Sequence, residues 1–157
     1  MFKLYDRLNA IYYAKIWAYN RNPQYFNFDD LGGDCTNFVS QCIFAGSNVM
    51  NYTPTFGWYY ISLSDRSTSW TGVNYLYNYL TTNNTKGPFG RLTNQQNLMI
   101  GDIVQFGNST TFHHSAIVVS IKNGIYLASH TIDSYMREIS TYTYERTRYI
   151  HINGIFT

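Results

Sequence analysis

The sequence feature that most limits the fold is the stretch Gly32-Gly33-Asp34-Cys35-Thr36-Asn37-Phe38-Val39-Ser40-Gln41-Cys42. After Cys35, apolar side chains recur at Phe38 and Val39 and again one turn later. This spacing predicts a helix that begins at Cys35 and buries one face. A thiol at a helix start lies in the positive field of the helix dipole, which favours the thiolate, the nucleophilic form. The two glycines allow a substrate backbone to approach closely.

Histidines further along the chain offer partners for this thiol. His113 and His114 open a segment with strand character, and His130 follows it. A cysteine with distant histidine and polar residues indicates a nucleophile, a base and an orienting group that the fold brings together. The competing interpretation is that Cys35 is a small buried side chain, as most free cysteines are.

These segments resemble the putative amidase domain family of Gram-positive bacteria. The resemblance covers nearly the whole chain and rests on Gly-Gly-Asp-Cys-Thr-Asn-Phe-Val-Ser-Gln (32–41), Gly-Asp-Ile-Val (101–104), His-Ser-Ala-Ile-Val (114–118) and Ser-His-Thr (129–131), with Tyr13-Ala14 and Asn22-Pro23-Gln24-Tyr25 upstream. Such domains are similar to NlpC-type cell-wall hydrolases, which have a papain-like fold. The resemblance implies a catalytic triad of Cys35, His114 and His130, a peptide or peptidoglycan substrate, and a secreted or cell-wall location.

Length and composition limit the class of protein. The 157 residues, 45% of them hydrophobic, predict a single domain over 1–157. A net charge of +2 with 13% charged residues argues against nucleic-acid binding. No apolar run near 18 residues occurs and the N-terminus has no signal-like core, so we expect neither a membrane span nor a leader in this chain. We also expect a monomer without a cofactor.

Helical patterns precede strand patterns along the chain. Helices are predicted near 3–20, from 35 to Gly46, and after a cap at Ser69 or Thr71, whereas 81–96 is predicted to be a long connection. Strand patterns occupy 102–106, 114–121, 125–131, 135–140 and 147–153. This order predicts an α+β domain with N-terminal helices packed on a C-terminal antiparallel sheet. For the first helix the predicted buried stripe is Leu4, Leu8, Ile11, Ala14 and Ala18.

The hairpin at 122–124 determines whether the two histidines share a face. A two-residue loop puts His114 and His130 on opposite faces, whereas a three-residue loop puts them on one face with His130 opposite Ala116. The three-residue loop also places the large apolar side chains of both strands together on one face. We therefore predict that His114 and His130 share the other face and that both imidazoles turn towards Cys35. The apolar face of that register consists of Ile117, Val119, Ile121, Ile125 and Leu127.

Each histidine is assigned a role on this basis. His114 is the predicted general base, and His113 has no predicted role because it points to the other face. His130 is the predicted orienting group, with Asp133 as its rival in the alternative register. Zinc is the main chemical competitor, but no ligand pair has zinc-site spacing, so no metal is expected.

Other polar residues near the nucleophile have weaker predicted roles. Asp34 is predicted to cap the helix, or else to stabilise an imidazolium. The backbone N–H of Cys35 is the predicted oxyanion donor, and the family resemblance offers Tyr25 as a second donor. Asn37 is a candidate substrate-lining residue. The sequence therefore favours a cysteine hydrolase of amide bonds; the alternative is a binding module that holds peptidoglycan or a protein partner without turnover.

Overall fold

The computed structural model describes all 157 residues and contains four α-helices and nine strands. The helices are α1 (Arg7–Trp17), α2 (Cys35–Ser47), α3 (Thr68–Thr71) and α4 (Val73–Thr82). The strands are β1 (Phe2–Lys3), β2 (Tyr60–Ser62), β3 (Asp65–Arg66), β4 (Gly87–Thr93), β5 (Ile103–Gly107), β6 (Phe112–Ser120), β7 (Tyr126–Ser129), β8 (Ser134–Glu138) and β9 (Arg146–Phe156). No helix combines the length and the apolar character needed to span a bilayer.

Seven of the strands form one antiparallel sheet in the order β1-β9-β5-β6-β7-β8, and β4 also pairs with β9. Strands β2 and β3 form a separate hairpin. The predicted α+β architecture, with helices before an antiparallel sheet, is therefore confirmed. The five strands expected from the sequence all occur, with boundaries that differ by a few residues.

The two faces of the sheet carry different apolar clusters, because side chains alternate along each strand. We call one the helix face; there Ile117 and Val119 of β6 pack with residues of α1 and α2. We call the other the far face; there Ala116 and Val118 pack with Phe106 of β5. The far-face cluster also contains Leu98, Val104, Leu127 and Tyr142.

Helix α1 is shorter than predicted, and only part of its predicted stripe is buried. Asp6 caps its start by accepting a hydrogen bond from the backbone N–H of Asn9, so the helix cannot include residues 3–5. Ala14 and Ala18 are buried as predicted and Ala10 is buried as well, whereas Leu8 is 69% exposed. Small side chains allow α1 to lie close to α2, and this packing outweighs the burial of the larger apolar residues that the prediction relied on.

The predicted connection 81–96 contains a strand instead. Strand β4 pairs along its whole length with β9. Pro88, interpreted from the sequence as a chain break, lies in this strand. Proline is tolerated in strands at sheet edges, where its missing N–H costs no ladder hydrogen bond.

The hairpin between β6 and β7 begins in the predicted register. Ser120 lies opposite Tyr126, which is the pairing expected for a three-residue loop. Within the loop, Asn123 has φ of 58° and Gly124 has φ of 136°. Positive φ is accessible to glycine and, less readily, to asparagine, so these two residues suit the turn.

Further from the loop than Ser120, β6 contains one extra residue that has no partner in β7. The register therefore changes, and Val118 pairs with Leu127. A one-residue slip reverses which side chains of two strands share a face. The predictions that His114 and His130 lie on one face and that both imidazoles turn towards Cys35 are therefore wrong. His114 lies on the far face opposite Phe106 of β5, and His130 follows β7 and contacts α2.

Candidate active site

Cys35 occupies the first turn of α2, as predicted, and is 7% exposed. The loop before it contains Gly32 and Gly33 with φ of 85° and 97°. These positive values strain any residue with a β-carbon, so the two glycines allow the tight approach to the helix start. The second cysteine, Cys42, is fully buried two turns later, and burial raises the pKa of its thiol well above the ordinary value. Only Cys35 is therefore positioned to react.

Asp34 stands at the N-cap position of α2, but its side chain accepts no hydrogen bond from the helix backbone, which corrects the capping prediction. Its carboxylate instead accepts from the backbone N–H of Phe28 at 2.8 Å and from the side-chain amide of Asn37 at 2.9 Å. The backbone N–H groups of the first turn of α2 consequently have no side-chain cap. Such groups, with the helix dipole behind them, can bind a developing negative charge.

A hydrogen bond joins the chain segments that carry Cys35 and His114. The Thr36 and Ser115 hydroxyls lie 2.9 Å apart, and each follows directly after one of the two residues. Ser115 also accepts from the side-chain amide of Gln105 on β5, 3.2 Å away. These buried bonds anchor the start of α2 to the start of β6.

His114 is surrounded by aromatic rings. The ring centroids of Phe106, Tyr142 and Tyr144 lie 6.0, 6.2 and 6.0 Å from that of the imidazole. Burial lowers the pKa of His114 to about 4, with smaller contributions from the nearby charges of His113 and Arg137. His114 is therefore neutral at neutral pH. No fully buried side-chain nitrogen or oxygen lacks a partner, so the unbonded imidazole nitrogens reach the surface.

Lowering the pH should destabilise the fold by protonating His114. Because the pKa of His114 falls from 6.5 to about 4 on folding, its contribution to stability is intact above pH 6.5 and is lost as the pH falls towards 4. The expected loss is about 3 kcal/mol of unfolding free energy. Urea titrations of wild type and His114→Gln at several pH values measure it: the variant should lose less stability across this interval. An identical pH dependence in both proteins would contradict the assignment.

His130 contacts Asp34, the residue before Cys35, rather than His114. Its Nδ1 lies 2.6 Å from the Asp34 carboxylate, and its Nε2 lies 2.8 Å from the backbone carbonyl of Trp17. Its ring stacks on Phe38 of α2 with centroids 4.0 Å apart. The expected contact between His130 and His114 is therefore not formed.

The rival orienting residue, Asp133, also binds elsewhere. Its carboxylate accepts two hydrogen bonds from Arg21, at 2.9 and 3.0 Å. Arg21 further donates to Asp29 and lies 3.2 Å from Nε2 of His130. No sequence pattern singles out Arg21, and its place after α1 gives no sign of this role.

The two weaker candidates near Cys35, Asn37 and Tyr25, differ in whether their polar groups are free to bind a substrate. Asn37 uses its whole amide: it donates to Asp34 and to the backbone carbonyl of Phe26, and it accepts from Trp70. Tyr25 packs its ring against Tyr60 and Trp70, and burial raises its pKa to about 12. Its phenol therefore stays protonated at neutral pH and can donate a hydrogen bond.

The structure contains no group of three or more His, Cys, Asp or Glu side chains suited to a metal ion. The site at the start of α2 consequently consists of a thiol, uncapped backbone amides, and His130, whose two ring nitrogens both have partners. His114 is neutral, makes no hydrogen bond to protein groups and lies on the far face of the sheet. This arrangement suits acyl transfer to a thiol.

Comparison with known proteins identifies the class. The family model described as "Putative amidase domain" matches residues 4–153, so the chain belongs to this family. Among curated proteins it is similar to the uncharacterized protein YhbB of Bacillus subtilis (strain 168), with 37% identity over 139 residues. The match covers 85% of this chain but 43% of YhbB, so the chain spans less than half of that relative. No solved structure matches the chain.

Proposed function

We propose that the protein is a cysteine-dependent hydrolase of amide bonds, with Cys35 as nucleophile and His114 as general base. The observation that carries this proposal is the position of Cys35 at the start of α2, beside backbone N–H groups that have no side-chain cap. His114 is neutral at neutral pH, but it lies on the far face of the sheet while Ser115 faces α2, so proton transfer from Cys35 requires the His114 side chain to turn towards the helix face.

The proposed reaction proceeds through a thioester. His114 takes the thiol proton, and the sulfur of Cys35 attacks the amide carbonyl carbon. The resulting oxyanion accepts hydrogen bonds from backbone N–H groups at the start of α2, that of Cys35 first. The C–N bond then breaks as His114 returns the proton to the leaving amine. Water, deprotonated by His114, cleaves the thioester to a carboxylate and restores the thiol.

We propose that the substrate is a peptide of the bacterial cell wall. We also propose that the domain has a papain-like fold of the NlpC type. Membership of the putative amidase domain family supports amide cleavage. The glycine pair before Cys35 supports a substrate that presents an extended backbone, because Gly32 is exposed and nothing lies within 4 Å of a β-carbon built there. Tyr25 is the proposed second oxyanion donor.

A binding module on the same fold is the second candidate. It is favoured by two observations: His114 lies on the face of the sheet opposite α2, and neither of the expected orienting residues, His130 and Asp133, contacts His114. Turnover separates the two functions, since a binding module retains cell-wall peptide without changing its mass.

The test is digestion of purified cell-wall peptides followed by mass spectrometry. Wild-type protein should produce pairs of fragments whose masses sum to the substrate plus one water. Incubation in ¹⁸O-labelled water should place the label in the new carboxylate. Intact peptides that co-purify with the protein would instead support the binding module and contradict the hydrolase.

A further inference from the structure

We infer that His130 and Asp34 are positioning residues that act on Cys35 as a buried ion pair, rather than as an orienting group for His114. Both side chains are about 1% exposed, and the carboxylate of Asp34 immediately precedes the nucleophile in the chain. This inference rests on the proposed function for its role in turnover, but its main readout is the chemistry of the thiol alone.

The hydrogen bonds of His130 indicate its charge. Nδ1 faces a carboxylate oxygen of Asp34, and Nε2 faces the carbonyl oxygen of Trp17. Nη1 of Arg21 also lies 3.2 Å from Nε2, but its two hydrogens have acceptors in the Asn20 carbonyl and in Asp133. The Asp34 and Trp17 oxygens therefore remain as the acceptors for the ring, and both bonds form together when each ring nitrogen carries a hydrogen. The resulting imidazolium lies against the Asp34 carboxylate in a buried pair.

His130 is the main counter-ion of Asp34, because it lies closer to the Asp34 carboxylate than the other nearby cation, Arg21, does. Arg21 approaches Asp34 only to 3.5 Å, and its closer bonds go to Asp29 and Asp133. Without a charge on His130, only Arg21 would offset Asp34, and Arg21 is shared with Asp29 and Asp133, so the net negative charge next to Cys35 would disfavour the thiolate. His130 therefore offsets the Asp34 charge at the residue where a negative sulfur must form.

The backbone next to His130 is strained, which indicates that the surrounding contacts hold this residue in place. Thr131, directly after His130, has φ of 95°, which is an outlier for a β-branched residue. Strained backbone persists only where the surrounding contacts determine it, and it is concentrated at functional sites. Here the strain accompanies the placement of the His130 ring between Phe38 and the loop that carries Asp34.

The test measures iodoacetamide alkylation of Cys35 against pH, by peptide mapping, in wild type and His130→Gln. Glutamine keeps a donor for Asp34 but removes the charge, so the midpoint of the alkylation profile should rise by about one pH unit. The matched control is His151→Gln, which alters the second His–Asp pair, His151 with Asp102, whose Nδ1–oxygen distance is 2.9 Å. Its midpoint should equal that of wild type.

An unchanged midpoint in folded His130→Gln would overturn the inference, whether or not the protein cleaves cell-wall peptides. Failure of the hydrolase proposal appears separately, as absence of product from wild type. A second measurement needs no variant: ¹⁵N spectra of wild type at neutral pH should show hydrogen on both ring nitrogens of His130. Hydrogen on one nitrogen only would also overturn the inference.

Discussion

Cys35→Ala is expected to reduce amide cleavage to the uncatalysed background. Loss of a nucleophile typically lowers turnover by roughly three or more orders of magnitude, because the remaining groups can only bind and polarise the substrate. The fold should be retained, since the change removes one sulfur atom at the end of a helix. Product formation by liquid chromatography, with circular dichroism for folding, measures both effects.

Cys42→Ala is the matched control, because it removes the other thiol of the same helix. Cys42 lies in the apolar core against residues of α1 and the sheet. Its loss should cost about 1 kcal/mol of unfolding free energy and leave turnover near the wild-type rate. If Cys35→Ala retained turnover, or if only Cys42→Ala lost it, the nucleophile would be wrongly assigned.

His114→Gln is expected to lower turnover by about 10²- to 10⁴-fold, the usual contribution of a general base. Glutamine keeps most of the volume inside the aromatic surroundings of His114 but cannot take the thiol proton. The decrease should appear in kcat, with little change in KM, because the substrate does not depend on the imidazole for binding. Steady-state kinetics on a synthetic cell-wall peptide provide the measurement.

His113→Gln is the control for that variant. His113 is exposed, and its ring centroid lies 5.3 Å from that of Tyr144. It should retain most of the activity. Full activity in His114→Gln with a large loss in His113→Gln would show that the neighbouring histidine is the base.

The parts of the fold that local pattern determines were predictable from the sequence. The start of α2 at Cys35 follows from a glycine pair, an aspartate and a helical apolar spacing, and the structure has it there. The order of helices and strands followed in the same way from the change in periodicity near Gly101. Both features depend on residues close together in the chain.

The features that sequence reasoning missed depend on contacts between distant segments. The extra residue in β6 near Val119 has no local signature, yet it separates His114 from His130. The hydrogen bonds of His130 to Asp34 and Trp17 join three segments that no spacing rule relates. Residues whose partners are distant in sequence can be listed as candidates, but their roles follow from tertiary structure.

The most direct test of the central claim is to trap the acyl-enzyme. Wild-type protein mixed with a cell-wall peptide, quenched in acid within the first turnover and analysed by mass spectrometry should carry an acyl fragment. Peptide mapping should place this fragment on Cys35 as a thioester that hydroxylamine removes. Product that accumulates with an adduct on another residue, or with none under conditions that slow hydrolysis of the thioester, would contradict the account.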